Sequence, residues 1–506
     1  MTRGRGEIMK KKETRRARVG LYSAGLQAYW SQFAGLKDRI LGYNAFIERR
    51  VSQWGEVCNF GLVDSETAAR DAGEFFNAHN VDIILAHSGT YFTSACALPV
   101  HQICKAPAVM LNLQPAAQMA YAKTNTGEWL AHCVGCPIPE AVNAFERAGL
   151  QLRVINGLLG LEETPAISAA DEVTAGMPQA KRAWAEIEQW VRAAGVKRAL
   201  QHARFGFLGN NYSGMLDMYS DFTMLQSQLG LHVELLEMCD LDRSLHAVTP
   251  QEVEEKRREI ETFFEISGDS PSDPRVKAPT DEQLDWSATV AAAQERMVEA
   301  YGLDALSYYY HGSDDNHYEQ VQSGFIVGHS LLTAKGVPCA GEGDIKTDVA
   351  MKICDVLEKG GSFCEIVAMD YVRNTMLLGH DGPFHISISD GKPMLRGLGV
   401  YHGKKGSGIS VEANVINGPV TMLGVTQLRN GNLRFIASEG VAKKYDILTI
   451  GNTQTHVDFG MDLDAYMDEW FQAAPTHHCA MSIGHNAALF EKVAQLLGVE
   501  YVRVGK

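Results

Sequence analysis

At 506 residues the chain exceeds what one hydrophobic core ordinarily organises, so two or three domains are expected. Its composition, 45% hydrophobic and 21% charged, is that of a soluble globular protein. A formal charge of −15 argues against a phosphate-binding groove, which needs concentrated Lys and Arg, and favours a small, uncharged molecule over nucleic acid as the partner.

The basic leader, residues 1–16, reads as a frayed terminus. It lacks the apolar block of a secretory signal, and no apolar run in the chain reaches membrane-spanning length, so the expectation is a cytoplasmic protein without a membrane partner. From residue 17 to about 172, short apolar runs ("VGLYS", "CNFGLV", "VDIILAHS", "AVMLN") alternate with amphipathic stretches such as "LKDRILGYNAFIERRVSQW" and "SETAARDAGEFFNAHN". That alternation predicts parallel strands joined by crossover helices, a doubly wound Rossmann-like α/β domain. Its first turn, "YSAGLQAYW", lacks the glycine pattern of a dinucleotide site. The pair Cys133 and Cys136 has no second pair or suitably spaced His nearby, and the ten cysteines read as reduced thiols.

A second α/β series is expected over 173–340. "RFGFLGNNY" and "LHVELLEM" read as strands, while "GMLDMYSDFTMLQSQLG", "PQEVEEKRREIETFFE" and "WSATVAAAQERMVEAYG" read as helices. Both series bring loops to the carboxyl ends of their strands, where open α/β sheets bind ligands. Over 341–506 the runs become β-rich, with Asp390-Gly391 and Asn430-Gly431 as hairpin signals, which predicts an antiparallel, barrel-like C-terminal domain.

Four stretches place acids and imidazoles in loop-like contexts: "DDNHYEQVQSG" with Glu319, "AGEGDIK" with Glu342, "LLGHDGPFH" with His380, and "APTHHCAMSIGHN" with His477, His478 and His485. Two carboxylates and two neutral imidazoles form a mixed oxygen and nitrogen set suited to Mn²⁺, with Co²⁺, Fe²⁺ and Mg²⁺ as alternatives. Gly341 and Gly343 give the backbone around Glu342 freedom to turn sharply toward a ligand.

"GEGDIKT", the glutamate of "HYEQ", "LLGHDG" and "THHC" occur in the order and approximate spacing of the L-arabinose isomerase and L-fucose isomerase superfamily, which the chain resembles from about residue 17 onward. "GNNYSGMLDMYSD" is similar to that superfamily's "FGDNM" segment, and the glutamate of "GEGD" is that of the L-arabinose isomerase branch. The resemblance implies an aldose–ketose isomerase with two α/β domains and a β-rich third, assembled as a homo-oligomer, the hexamer being the family's form. It implies Glu319, Glu342, His380 and His478 as Mn²⁺ ligands, with Glu319 and Glu342 as the acid/base pair. Gln27, Tyr29, Asn211, Tyr212 and His477 are implied as sugar-facing residues. The implied chemistry interconverts a pentose or 6-deoxyhexose with its ketose by proton transfer through an enediol, the cation stabilising the developing charge. A hydride shift, a non-catalytic sugar-binding or sensing protein, and a metal-dependent aldolase or lyase are the competing readings. "GHDGPFHI" and "NNY" depart from the family's residues at those places, which leaves the sugar open.

Overall fold

The computed structural model describes residues 15–312, 316–401 and 404–505, and only the backbone of those it includes over 399–407. The expected frayed leader therefore falls, up to residue 14, outside the described residues. The chain divides into two compact units, Arg15–Arg198 and the part from Ala199 onward.

The first unit holds β1 (Arg18–Ala24), β2 (Glu56–Val63), β3 (Ile83–Ser88), β4 (Ala108–Gln114) and β5 (Leu152–Leu158). They form one parallel sheet in the order β2-β1-β3-β4-β5, so the winding direction reverses beside β1. β1 and β3 are almost wholly buried, which is why they read as continuous apolar runs. The predicted helices are present at Leu36–Val51 and Glu66–Ala78, the latter begun by Ser65, whose side chain accepts the N–H of Ala68.

The second unit holds, in chain order, β6 (Arg204–Gly209), β7 (His232–Leu236), β8 (Glu265–Ile266), β9 (Val276–Lys277), β10 (Ala305–Tyr309), β11 (Cys339–Ala340), β12 (Gly360–Asp370), β13 (Thr375–His380), β14 (Met394–Tyr401), β15 (Lys404–Glu412), β16 (Gly418–Gln427), β17 (Leu433–Lys443), β18 (Thr453–Asp458), β19 (His478–Ile483) and β20 (Glu500–Val504). A parallel sheet in the order β11-β10-β6-β7 reverses its winding between β6 and β10, a topological switch point. In the β-rich part β16-β19-β12-β13-β18-β17 pair antiparallel in turn, and β16 also pairs with β17, closing a ring of six strands, while β14 pairs antiparallel with β15 and β9 and in parallel with β8. β20 adds to β17 in parallel. The fold is therefore α/β, with Rossmann-like parallel cores and a β-rich C-terminal sheet.

The helix Ile345–Val356 is buried along nearly its whole length, between the β10-β11 edge on one side and β12, β16 and β19 on the other. Its N-terminus follows the Gly341–Gly343 turn that leaves β11. Asn430-Gly431 does turn β16 into its antiparallel partner β17. Asp390-Gly391, by contrast, follows a short 3-10 turn over Ile386–Ile388 and joins no pair of adjacent strands, so "PFHISISDGK" is a loop and not half of a hairpin. The predicted helix over "GMLDMYSDFTMLQSQLG" begins only at Phe222, because Asp221 supplies the cap and the residues before it form a turn and loop. Among the described residues no helix is long and apolar enough to cross a membrane, and the ten cysteines carry free thiols.

Candidate metal centre

Glu342 lies two residues beyond the end of β11, after Gly341, and has backbone angles φ 61° and ψ 10°, the left-handed region that a residue with a side chain adopts only when its surroundings impose it. Those surroundings are the loop leaving β6. Tyr212 N donates to Glu342 O at 2.9 Å, and the Asn211 amide donates to Gly343 O at 2.7 Å. Gly343, at φ 77°, is packed so closely that a Cβ there would lie 2.4 Å from Asn210 O. Gly341 is different: the nearest atom to a Cβ built on it is 3.5 Å away. Only the second of the two glycines is demanded by the turn, and the left-handed conformation expected of glycine is taken by the glutamate itself. Gly343→Ala is expected to destabilise the fold by roughly 1–3 kcal/mol, from left-handed strain and the displaced 210–212 loop. A urea melt measures it, and a midpoint equal to wild type would show the turn to be permissive.

Three imidazoles face the Glu342 carboxylate. His380 Nε2 lies 3.7 Å from Oε1, while His478 Nε2 and His477 Nε2 lie 3.6 Å and 3.5 Å from Oε2. These separations are long for hydrogen bonds and close to the roughly 3.0–3.4 Å that separates two donors each ~2.1 Å from one cation. His478 Nε2 is buried without a hydrogen-bond partner, and an imidazole nitrogen in that situation is suited to a cation. Among the described residues, Glu342, His477 and His478 bring one donor atom each within 4.8 Å of one another, and so do Glu365, His380 and His478. His478 belongs to both sets, so they are two faces of one cluster.

The strands explain the second set. Glu365 lies on β12, directly opposite His478 of β19 and opposite Gly379 of β13, the residue before His380. Gly379 has no room for a side chain, since a Cβ would stand 1.8 Å from Thr453 O, and this tight crossing with β18 fixes where β13 delivers His380. Two residues before Glu365, and so on the same face of β12, Phe363 packs its ring against His380 (4.7 Å between centroids) and His478 (4.3 Å). The donors thus stand against an apolar wall.

Asp344 caps the helix Ile345–Val356, accepting from the N–H groups of Lys346 and Thr347, and its Oδ2 lies 3.0 Å from His478 Nδ1. This carboxylate and imidazole pairing orients the ring with Nε2 toward the cluster, as carboxylates behind metal-binding histidines do. Burial alone would raise the Asp344 carboxyl, but the Lys346 ammonium and His478 hold it well below its ordinary range. Burial keeps His478 below the usual imidazole value, which favours the neutral, ligand form. Burial opposes charge on His380 as well, yet the carboxylates of Asp381, Glu342 and Glu365 bring it above its ordinary value. His477, for which burial is likewise outweighed by Glu342 and Asp217, is pushed up to about 9.

The other expected residues are placed as follows. Glu319 lies on the helix His317–Ser323, its Oε1 accepting Gly312 N at 3.3 Å, and it joins none of the clustered donor sets among the described residues. It is nonetheless close enough that its charge and that of Glu342 both act on the Tyr309 phenol at the end of β10. The ring of Tyr212 stacks on Tyr309 at 4.7 Å, and the Asn211 amide is engaged by Gly343 O and Met218 O. His485 contacts Gly440 O and is outside the cluster. Gln27 and Tyr29 form a 3-10 turn at the carboxyl end of β1 in the other unit. Glu365 and Asp344 are additions that residue-by-residue reading passed over. The signal for Glu365 was an acid two places after Phe363 in the apolar run "SFCEIV", where alternation puts both on one face.

A further set of three, Glu128, His132 and Glu172 in the first unit, is already filled by a cation of the chain itself. The Arg39 guanidinium bonds Glu128 at 2.7 Å and also pairs with Glu172, which Tyr43 and Ser168 hydrogen-bond as well. It is a buried ion-pair network.

No family model matches the chain. L-arabinose isomerase 1 of Bacillus licheniformis is 24% identical over 341 residues, covering 66% of this chain and 66% of that protein. The L-arabinose isomerase of a Nocardioides species is 24% identical, covering 62% of each, and that of Bacillus subtilis 22% identical, covering 70% of this chain and 68% of that protein. The chain thus matches 66% and 62% of the length of the first two, slightly under two thirds. Among solved structures, the ligand-free, open substrate binding protein CD0873 of Clostridium difficile covers 71% of this chain and 80% of its own at 8% identity, with a TM-score of 0.15 that carries no argument. The sequence matches, each at low identity and each to a protein of the same name, make the chain a distant relative of the L-arabinose isomerases.

Proposed function

We propose that the protein is a divalent-cation-dependent aldose–ketose isomerase acting on a pentose or 6-deoxyhexose, with Mn²⁺ the expected ion. The observation that carries this reading is the convergence of one strained carboxylate, Glu342, with the imidazoles of His380 and His478 and with Glu365, next to a sheet's topological switch point. The donors are two carboxylates and two imidazoles with no thiolate, the set suited to Mn²⁺, Co²⁺, Fe²⁺ or Mg²⁺. In this reading Glu365 takes the ligand place expected of Glu319, which stays near the Tyr309 edge.

A divalent cation, when bound, supplies charge stabilisation for an enediolate. The chain's own groups do the rest. One of the two carboxylates removes the hydrogen on C2 as a proton and returns it to C1, while the other moves the O2 proton to O1. The carbonyl is then at C2, and no atom is gained or lost. Phe363 keeps water from one side of the donors, and Asp344 prevents the His478 ring from turning.

The test is product analysis by NMR on a panel of pentoses and 6-deoxyhexoses, with chelator-stripped protein and with Mn²⁺ restored. A ketose product is expected, with the stripped protein slower by at least ~10²-fold. Carbon–carbon cleavage fragments would make it an aldolase or lyase. Saturable sugar binding without any product would make it a sugar sensor on the same scaffold.

A further inference from the structure

The two histidines of "THH" are held by two different carboxylates. His478 is closed off from solvent, its ring fixed from behind by Asp344 at a helix start. His477 keeps about a third of its side chain exposed and is held by Asp217, from the loop that leaves β6. One oxygen of Asp217, Oδ2, accepts both the backbone N–H of His477 at 3.0 Å and the ring Nδ1–H at 2.7 Å. An ionised carboxylate can only accept, so the hydrogen of this contact sits on Nδ1, and Nε2 is the nitrogen turned toward Glu342, 3.5 Å away. The double contact fixes the backbone and the ring together, leaving His477 neither a free rotation nor a choice of nitrogen.

The loop carrying Asp217 is also the one that clamps the Glu342 turn through Tyr212 N and the Asn211 amide. A single segment, 211–217, therefore sets both the carboxylate and the imidazole that faces it. The difference in exposure gives the two histidines different roles, because the enclosed ring meets only its protein neighbours, whereas the ring with an open edge is the one an incoming molecule can touch.

We propose that Asp217 is a positioning residue, holding His477 with Nε2 beside the Glu342 carboxylate so that His477 hydrogen-bonds a substrate oxygen and is not part of the cation's ligand set. The substrate half of this statement rests on the isomerase reading above.

Asp217→Ala, Asp217→Asn, His477→Ala and the Asp217→Ala/His477→Ala double variant test it on the full chain. Calorimetric titration with Mn²⁺ is expected to give affinities within about threefold of wild type for all four. Ketose formation is expected to fall ~10- to 100-fold in Asp217→Ala, to recover in part in Asp217→Asn, whose carbonyl oxygen still accepts from Nδ1–H, and to fall no further in the double variant than in His477→Ala. Turnover unchanged in Asp217→Ala, or losses that add in the double variant, would overturn the proposal. An affinity for Mn²⁺ reduced more than tenfold in His477→Ala would overturn it too, by making His477 a ligand. A long-range ¹H–¹⁵N spectrum reads positioning without any turnover: a protonated Nδ1 on the His477 ring is expected in wild type, whether or not Nε2 also carries a proton, and an unprotonated Nδ1 in Asp217→Ala. If wild type makes no ketose, the isomerase reading fails, while this spectrum and the titrations still decide what Asp217 does to His477.

Discussion

Glu342→Gln is expected to leave the fold intact and to reduce ketose formation by ~10³-fold or more. The amide keeps the shape of the side chain and its left-handed backbone, so the 210–212 loop still clamps the turn through Tyr212 N and Asn211. What it loses is negative charge at the point where three imidazole nitrogens converge within 3.7 Å, together with any ability to take a proton at neutral pH. General acid/base assistance alone amounts to about 10²- to 10⁴-fold, and weaker cation binding adds to that. Matched melting curves and an NMR time course on the best sugar of the panel measure the two halves of the prediction. Wild-type turnover in Glu342→Gln would remove this residue from the chemistry.

The second large effect separates two glutamates. Glu365→Gln is expected to weaken Mn²⁺ binding by ~10²-fold or more, since even partners behind metal ligands commonly contribute 10- to 100-fold, and to abolish turnover with it. Glu319→Gln is expected to hold Mn²⁺ within about threefold of wild type, because its carboxylate shares no clustered donor set with the histidines. Calorimetry on metal-free protein compares them directly. The reverse order of affinities would return Glu319 to the ligand set and remove Glu365.

That pair of glutamates also shows where sequence reasoning reached and where it stopped. The buried parallel strands were legible because both of their faces are covered, which leaves unbroken apolar runs such as "IILAHS" of β3. Glu342, His380 and His478 were legible because each stands at a strand end beside glycine or another imidazole. Glu365 was not, because it lies inside a strand, and a single acid in an apolar run reads as an outward-facing residue until the partners of that strand are known. His478 lies opposite it in β19, a pairing that joins positions 113 residues apart and leaves no local trace. Asp344 and Asp217 were hidden for a related reason. One reads as an ordinary helix cap and the other as a loop acid, and only the histidines they meet, 134 and 260 residues away in the chain, give them a purpose. The Asp390-Gly391 signal failed in the opposite direction, since a dipeptide that suits a tight hairpin suits other turns equally well.

The strand ring has a consequence for how the protein comes into being. β19 enters between β12 and β16, both made earlier, and it carries His478 into place. A nascent chain therefore has β16 and β12 waiting with unfilled edges until nearly all of it has left the ribosome, and such edges invite pairing with other molecules. His478 joins the Glu342 cluster only when this last gap is zipped, so chains interrupted upstream of Thr476 are expected to emerge with exposed strand edges and an incomplete donor set.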